Sequence, residues 1–232
     1  MYLQIRRSIL ERIERGDYPA GTAIPSENDL AEEFSTTRLT IRNAIDDLVT
    51  HGLVRRVQGK GAFVTGSWTE GESEGDLEYG GFREMVKSSN AIPSVRILTR
   101  SHRLSGPFYA NLFGIRDDDV LYSVRRLNSV NDEPVSIENT LIPLRFFEGI
   151  DAVDISVFSL YETYEMYGRK VALAQEKIDI ASLSARDAGL LQVEAGSPAL
   201  VLECVSYDAS GQAVECARAL NRGDRGGYVY RY

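Results

Sequence analysis

Residues 35–48 read STTRLTIRNAIDDL, and the order of these side chains decides what the first third of the chain is. On a helix beginning near Thr37, the residues Ile41, Ala44, Ile45 and Leu48 fall at i, i+3, i+4 and i+7, which makes one apolar stripe. Thr37 is a residue type that caps such a helix, and the run continues to about His51. Arg38 and Arg42 are one turn apart on a different face, with Leu39 and Thr40 beside them. Two readings of that face stay open on spacing alone. It is either a solvated arginine pair on a packed helix, or the leading edge of a helix whose first turns enter the major groove. Asp46 and Asp47 lie in later turns and read as a solvated face away from phosphate.

The flanks favour the second reading. Upstream, PSENDLAEEF at 25–34 places Ser26 as an N-cap after Pro25, with Asp29 three residues on as an approximate capping box. Leu30, Ala31 and Phe34 supply its buried stripe, and only Ser35 and Thr36 separate it from the next helix. Further back, Tyr2, Ile5, Ile9 and Ile13 mark an amphipathic helix over 2–15 that GDYPAG stops. Downstream, LVRRVQGKGAFV at 53–64 holds two short β-type runs around QGKG, with Arg55, Arg56 and Lys60 as its basic groups. Three helices with a tight second-to-third turn and a β-wing spell a winged helix-turn-helix.

The chain of 232 residues carries a formal net charge of −8, which opposes a nucleic-acid partner in bulk. The charge is unevenly spread, however. Residues 1–66 hold 9 Lys+Arg against 9 Asp+Glu, and the remaining residues hold 17 against 25. The acidic excess thus lies outside the helical module, and a neutral module can cluster its basic groups on one face. No run is long and apolar enough for a membrane helix, and the N-terminus lacks the apolar core of a signal peptide, so a cytoplasmic location is expected. Cys204 and Cys216 read as reduced thiols near cross-strand register. Neither His51 nor His102 sits at metal-ligand spacing, and GxGxxG, P-loop and GxSxG motifs are missing, so neither a metal nor another cofactor is expected.

The run TGSWTEGESEGDLEYGG at 65–81 reads as a flexible acidic linker. It suggests a division into a DNA-binding domain over 1–66, a linker over 67–80 and a second domain over 81–232. That second module reads as mixed. Hairpins are expected at 120–143 and 199–220, with turns at NDEP and ASGQ, helices at 155–167 and 182–192, and a strand at 93–99. Together these imply an antiparallel α+β sheet. If the first hairpin turns near Asp132, Arg126 lies opposite Glu138. That pair is either a structural ion pair or two walls of a polar pocket. Ser159 reads as a local cap and Tyr161 as a half-buried aromatic.

The stretch from GDYPAG through PSENDLAEEF, STTRLTIRNAIDDL and LVRRVQGKGAFV resembles the DNA-binding domain of GntR-type bacterial transcription regulators across residues 3–64. The resemblance puts Arg38, Thr40, Arg42 and the wing glycine Gly59 against operator DNA, and Ser26, Thr37, Leu39, Arg56, Lys60 and Gly61 join them as candidate DNA-binding residues. Asn28 stands where the family often has Arg, and it is carried as a further candidate.

From Phe82 onward the chain is similar to the UTRA ligand-sensing domain of the HutC subfamily. The matching runs are RRL, EPVSIE, SLY, GQAVE and RGDR. The resemblance implies a chorismate-lyase-like antiparallel sheet with helices, and an effector site at Arg126, Glu138, Ser159, Tyr161 and Glu215. Three positions depart from the sugar-phosphate-sensing pattern. Asn128 replaces a second arginine, Arg83 replaces a serine or threonine after Phe82, and Asn221 replaces a tyrosine. All three are candidate ligand residues.

The function expected is a ligand-responsive transcription regulator, a repressor by family habit. Its partners are a palindromic double-stranded operator, a second copy of itself in a homodimer, and a small anionic metabolite (a phosphorylated sugar or a carboxylate). Two alternatives remain at this point: a chorismate-lyase-type enzyme carrying a helical module, and a metabolite-binding module whose winged helix contacts protein. The missing acid–base or nucleophile motif weighs against the enzyme.

Overall fold

The computed structural model describes residues 2–65 and 92–225. The linker expected over 67–80 and Arg83 lie outside the described residues. The chain forms two compact units, one holding the N-terminal residues with Asp151–Phe158 and the other holding the rest.

The first unit begins with α1 (Tyr2–Glu14), α2 (Glu27–Glu33) and α3 (Arg38–Thr50), followed by the hairpin strands β1 (Val54–Val57) and β2 (Gly61–Val64). Each boundary has a local cause. Ser26 caps α2 in a full capping box, its Oγ accepting from Asp29 N at 3.2 Å while Asp29 Oδ2 accepts from Ser26 N at 3.1 Å. Thr37 caps α3, accepting from Thr40 N at 3.3 Å, and Ser35 between the helices adopts φ of 47°. The buried residues of α3 are Ile41, Ala44, Ile45 and Leu48, the stripe read from spacing. They pack with Ile5, Ile9, Leu30 and Val54 into one core. The wing turn closes through Lys60 N donating to Val57 O at 3.0 Å, and Gly59 and Gly61 take φ of 75° and 114°, conformations that suit glycine.

The second unit is a six-stranded antiparallel sheet in the order β3-β4-β5-β8-β7-β6. Its strands are β3 (Pro93–Leu104), β4 (Val120–Val130), β5 (Glu133–Pro143), β6 (Val171–Ser182), β7 (Pro198–Asp208) and β8 (Ala213–Arg222). Its helices are α4 (Gly106–Phe113), α5 (Leu160–Met166) and α6 (Ala185–Leu191). The β4–β5 hairpin turns on Asn131 and Asp132, with φ of 50° and 65°, the two-residue turn whose twist matches paired strands. The β7–β8 turn is held by Asp208 Oδ1, which accepts from Ser210 N at 2.9 Å and Gln212 N at 3.1 Å. One sheet face is covered by apolar clusters that include Phe113 of α4 and Ala188 and Leu191 of α6. The other face carries Arg126, Glu138 and Glu215, and α5 packs there through Tyr164.

Two sequence expectations change. The helix expected over 155–167 begins only at Leu160, because Ser159 caps it in a box with Glu162 and so ends the preceding turn. The helix expected over 182–192 begins at Ala185 for the same reason, with Ser184 as its cap. Cys204 pairs with Ala217 and Cys216 with Val205, so the two thiols occupy adjacent registers on opposite faces of the sheet.

Candidate DNA interface and effector site

The leading edge of α3 is open. Leu39 is 67 % exposed, and the side chains of Arg38 and Arg42 are 63 % and 53 % exposed. Thr40 is tied back to the cap, its hydroxyl 2.9 Å from that of Thr37. A cleft of about 370 Å³ beside this edge is lined by Ser26, Asn28, Arg38, Arg56, Gly59 and Gly61 among others. Seven candidate residues thus share one surface: six line the cleft, and Leu39 stands open beside it. Lys60 donates to Ser156 Oγ at 2.5 Å.

The charges around α3 are more engaged than the sequence suggested. Asp46 stays exposed as expected and Asp47 is half-buried, but both are ion-paired: Asp46 Oδ1 lies 3.1 Å from Arg56 Nη2, and Asp47 pairs with Arg6 of α1. Arg56 also donates from Nη1 to Glu27 Oε1 at 2.8 Å, so its guanidinium is held between two carboxylates. Partial burial pushes the Glu27 carboxyl up, but hydrogen bonds and charge from Arg42 and Arg56 outweigh it and hold the group below its ordinary range. Glu27 carries no sign of this role in its sequence context beyond its place in PSEN.

On the sheet, the register sets Arg126 against Glu138, the pairing expected, through a one-residue shift between Ser129 and Asn128 that skips Val135, and the two form a buried ion pair. Thr140 Oγ1 donates to Glu138 Oε1 at 2.7 Å. Burial pushes Glu138 up, yet the charge of Arg126 and these hydrogen bonds prevail and keep it low. Glu215 is different. It accepts from Tyr164 OH at 2.6 Å and Ser206 Oγ at 2.8 Å, and the Tyr161 hydroxyl lies 3.0 Å from Ser206 Oγ. Burial raises the Glu215 carboxyl, and the nearby Glu138 charge adds to the rise beyond what its hydrogen bonds offset. Burial also raises the Tyr161 hydroxyl and lifts the Cys204 thiol to about 12.

The structure therefore brings Arg126, Glu138, Tyr161 and Glu215 onto one face, with Ser206, Tyr164 and Thr140 as partners that the sequence reading missed. Asn128 sits one pair along from Arg126 on that face, its Nδ2 donating to Ser136 Oγ at 3.1 Å. Arg126 Nε and Asn128 Oδ1 are buried without a hydrogen-bond partner among the described residues. Ser159 acts as the α5 cap, presenting the helix that carries Tyr161 and Tyr164. Asn221 lies roughly 20 Å along β8 from Glu215 but in cross-strand row with Ser136 and Asn128, and its amide donates to Leu200 O at 3.2 Å.

This pairing of a winged helix with an antiparallel sensor sheet defines a class, and sequence comparison agrees. The family "Bacterial regulatory proteins, gntR family" matches residues 1–64, and the UTRA domain matches residues 88–226. The chain belongs to the GntR-type regulators that carry a UTRA domain, the HutC-type architecture, and is a transcription regulator rather than an enzyme. It is 29 % identical to the HTH-type transcriptional repressor NagR of Bacillus subtilis, over 99 % of this chain and 93 % of the relative. It is 28 % identical to the probable fructoselysine utilization operon transcriptional repressor of Escherichia coli K12, over 97 % of this chain and 91 % of that protein. The crystal structure of PhnF from Mycobacterium smegmatis aligns with a TM-score of 0.63 at 27 % identity, covering 97 % of both chains. No helix among the described residues is long and apolar enough to cross a membrane.

Proposed function

We propose that the chain is a cytoplasmic repressor that binds a palindromic operator as a homodimer and responds to a small anionic metabolite. The observation that carries the DNA half is the open edge of α3, where Leu39 stands 67 % exposed between Arg38 and Arg42. An exposed leucine or an arginine pair is ordinary alone; here both stand at the first turns of the helix that follows the tight α2–α3 turn, with the basic wing beside them. Arg38 and Arg42 reach base edges or phosphates, Leu39 and Thr40 meet a thymine methyl or a phosphate, and the wing glycines let the backbone come close to DNA. Two-fold symmetry sets the half-sites about 34 Å apart, one helical turn. Residues 67–80 serve as the connection between a DNA-binding domain over 1–66 and an effector and dimerisation domain over 81–232.

The effector half rests on the two buried atoms that have no partner among the described residues. Arg126 Nε is a donor awaiting an acceptor, and Asn128 Oδ1 is an acceptor awaiting a donor. A metabolite with an anionic oxygen beside a hydroxyl or amine satisfies both at once, and the relatives named as repressors of utilization operons support a catabolic intermediate. Glu138, Tyr161 and Glu215 then take its remaining hydroxyls or amines. The effector shifts DNA binding only by favouring one of two arrangements of the chain.

Two measurements test this. Fluorescence anisotropy with fragments of the chain's own upstream promoter should show binding that weakens steeply as salt rises. Absence of binding at low salt to every fragment sinks the regulator reading. A thermal-shift screen of sugar phosphates and small carboxylates should find a compound that raises the melting temperature. That compound should have no such effect on Arg126→Met/Glu138→Leu, which replaces the polar pair with apolar side chains.

A further inference from the structure

Three guanidiniums from two elements surround one carboxylate in the DNA-binding unit. Glu27 Oε1 accepts from Arg56 Nη1 at 2.8 Å and from Arg42 Nε at 3.5 Å, and Oε2 accepts from Arg42 Nη2 at 3.3 Å. Arg38 Nη2 lies 3.9 Å from Oε2. The carboxylate is the inner member, its side chain 19 % exposed where those of Arg38 and Arg42 are 63 % and 53 % exposed. Arg56 is anchored further by donating to the Arg42 carbonyl at 3.3 Å.

We propose that Glu27 is a positioning residue that sets how well this protein discriminates between DNA sequences. Two effects follow from its place. It engages Arg42 side-on, through Nε at 3.5 Å and Nη2 at 3.3 Å, which biases the guanidinium plane toward one pose and leaves its free edge as a donor pair. A freely turning arginine satisfies any phosphate it meets, whereas a fixed one rewards only the base edge or phosphate that matches its pose. The second effect is charge. Glu27, the carboxylate shared by all three guanidiniums (Arg56 also meets Asp46), offsets one unit of the charge that attracts phosphate, which every sequence supplies equally. Glu27 thus weakens the contribution common to all DNA while sharpening the contribution particular to one site. The competing account is that Glu27 merely ties α2 to the wing through Arg56, and that account predicts lost stability without any change in discrimination.

The inference rests on α3 being the DNA-reading helix, and the experiment separates the two claims. Duplexes are enriched from a random pool by the wild-type full-length chain, and affinities are measured for an enriched duplex and for a scrambled one of equal length across salt concentrations. Glu27→Gln should bind the scrambled duplex more tightly than wild type, with a log–log salt slope steeper by about 0.9, the increment for one more phosphate neutralised. Its ratio of enriched to scrambled affinity should fall by about tenfold, the scale of one bidentate base contact. Glu27→Asp, which keeps the charge, should restore the salt slope. Arg42→Lys should keep the slope and lose the ratio, because an ammonium cannot be held side-on, and it tests the same geometry if the Glu27 variants unfold. A Glu27→Gln chain with wild-type ratio and slope overturns the proposal, whatever its melting temperature. If Arg38→Ala also leaves the ratio intact, or the wild type enriches nothing, the reading of α3 itself fails.

Discussion

Glu27 and Glu215 each sit at the centre of a polar cluster, and they solve opposite problems. Around Glu27 the surplus is positive: three arginines crowd an exposed surface, and the carboxylate lets them converge. Around Glu215 the surplus is negative, with one guanidinium for two buried carboxylates and neutral hydroxyls as the nearest donors. The first cluster is nearly complete as it stands and offers its outer edges to a partner. The second keeps two buried polar atoms, Arg126 Nε and Asn128 Oδ1, without hydrogen-bond partners among the described residues. On the reading proposed above, the DNA surface would be built from satisfied charges and the effector site from unsatisfied ones.

The comparison can be tested from the largest expected effect downward. Arg126→Ala leaves Glu138 buried and unpaired and should cost about 3–5 kcal/mol in urea unfolding. Most of that loss should return when Arg126→Met is combined with Glu138→Leu, since the pair is then replaced rather than broken. In the DNA-binding unit, Arg38→Ala with Arg42→Ala should weaken binding to an enriched duplex by at least about 100-fold. Effector-induced thermal stabilisation should persist in that variant, and its loss would mean the helix serves only packing.

The third test is pH. Glu215 has its carboxyl raised by burial, so its contribution to stability is fully present below the ordinary value of 4.5 and is lost as pH rises through the folded value. Glu27 has its carboxyl lowered, so its contribution is present above 4.5 and is lost as pH falls through the folded value. Melting temperatures across pH should therefore give difference curves of opposite slope for wild type minus Glu215→Gln and wild type minus Glu27→Gln. Curves of the same sign would break the contrast. The smallest effect is expected at the α2 cap, where Ser26→Ala should cost about 1 kcal/mol of stability.

Legibility in the sequence followed the range of the interaction. The bounds of α3 were readable because Thr37, the apolar stripe and the stop at His51–Gly52 act within a few residues. Arg126 does stand against Glu138, but the turn alone does not fix it: the two-residue turn would set Arg126 opposite Ile137, and an unread bulge at Val135 shifts the register by one residue. Strand β6 went unread, since nearly all its side chains are exposed and VALAQEKIDIAS shows no buried apolar face; it is a strand because β7 pairs with it along its length. Helix α4 was hidden by the Gly-Pro at its start, a pair that reads as a turn but here opens a helix. At the effector face, Ser206 and Tyr164 carry no local signal; they reach Glu215 only through β7–β8 pairing and the packing of α5. Ile155, Val157 and Phe158 imitated a helix's apolar stripe because their side chains are buried, although the backbone there only turns.

The thiols of Cys204 and Cys216 have a practical consequence. One native sulfur stands on each side of the sheet: Cys204 at 3.8 Å from Ser206 Oγ, Cys216 lining a cavity of about 340 Å³ on the opposite face. They face away from each other, so oxidants cannot join them within a chain without tearing the hairpin apart. Alkylation rates at these two sulfurs would report separately on the two sides of the domain. A compound that slowed labelling at Cys204 while leaving Cys216 unchanged would reveal which face it occupies, with no engineered probe in the protein.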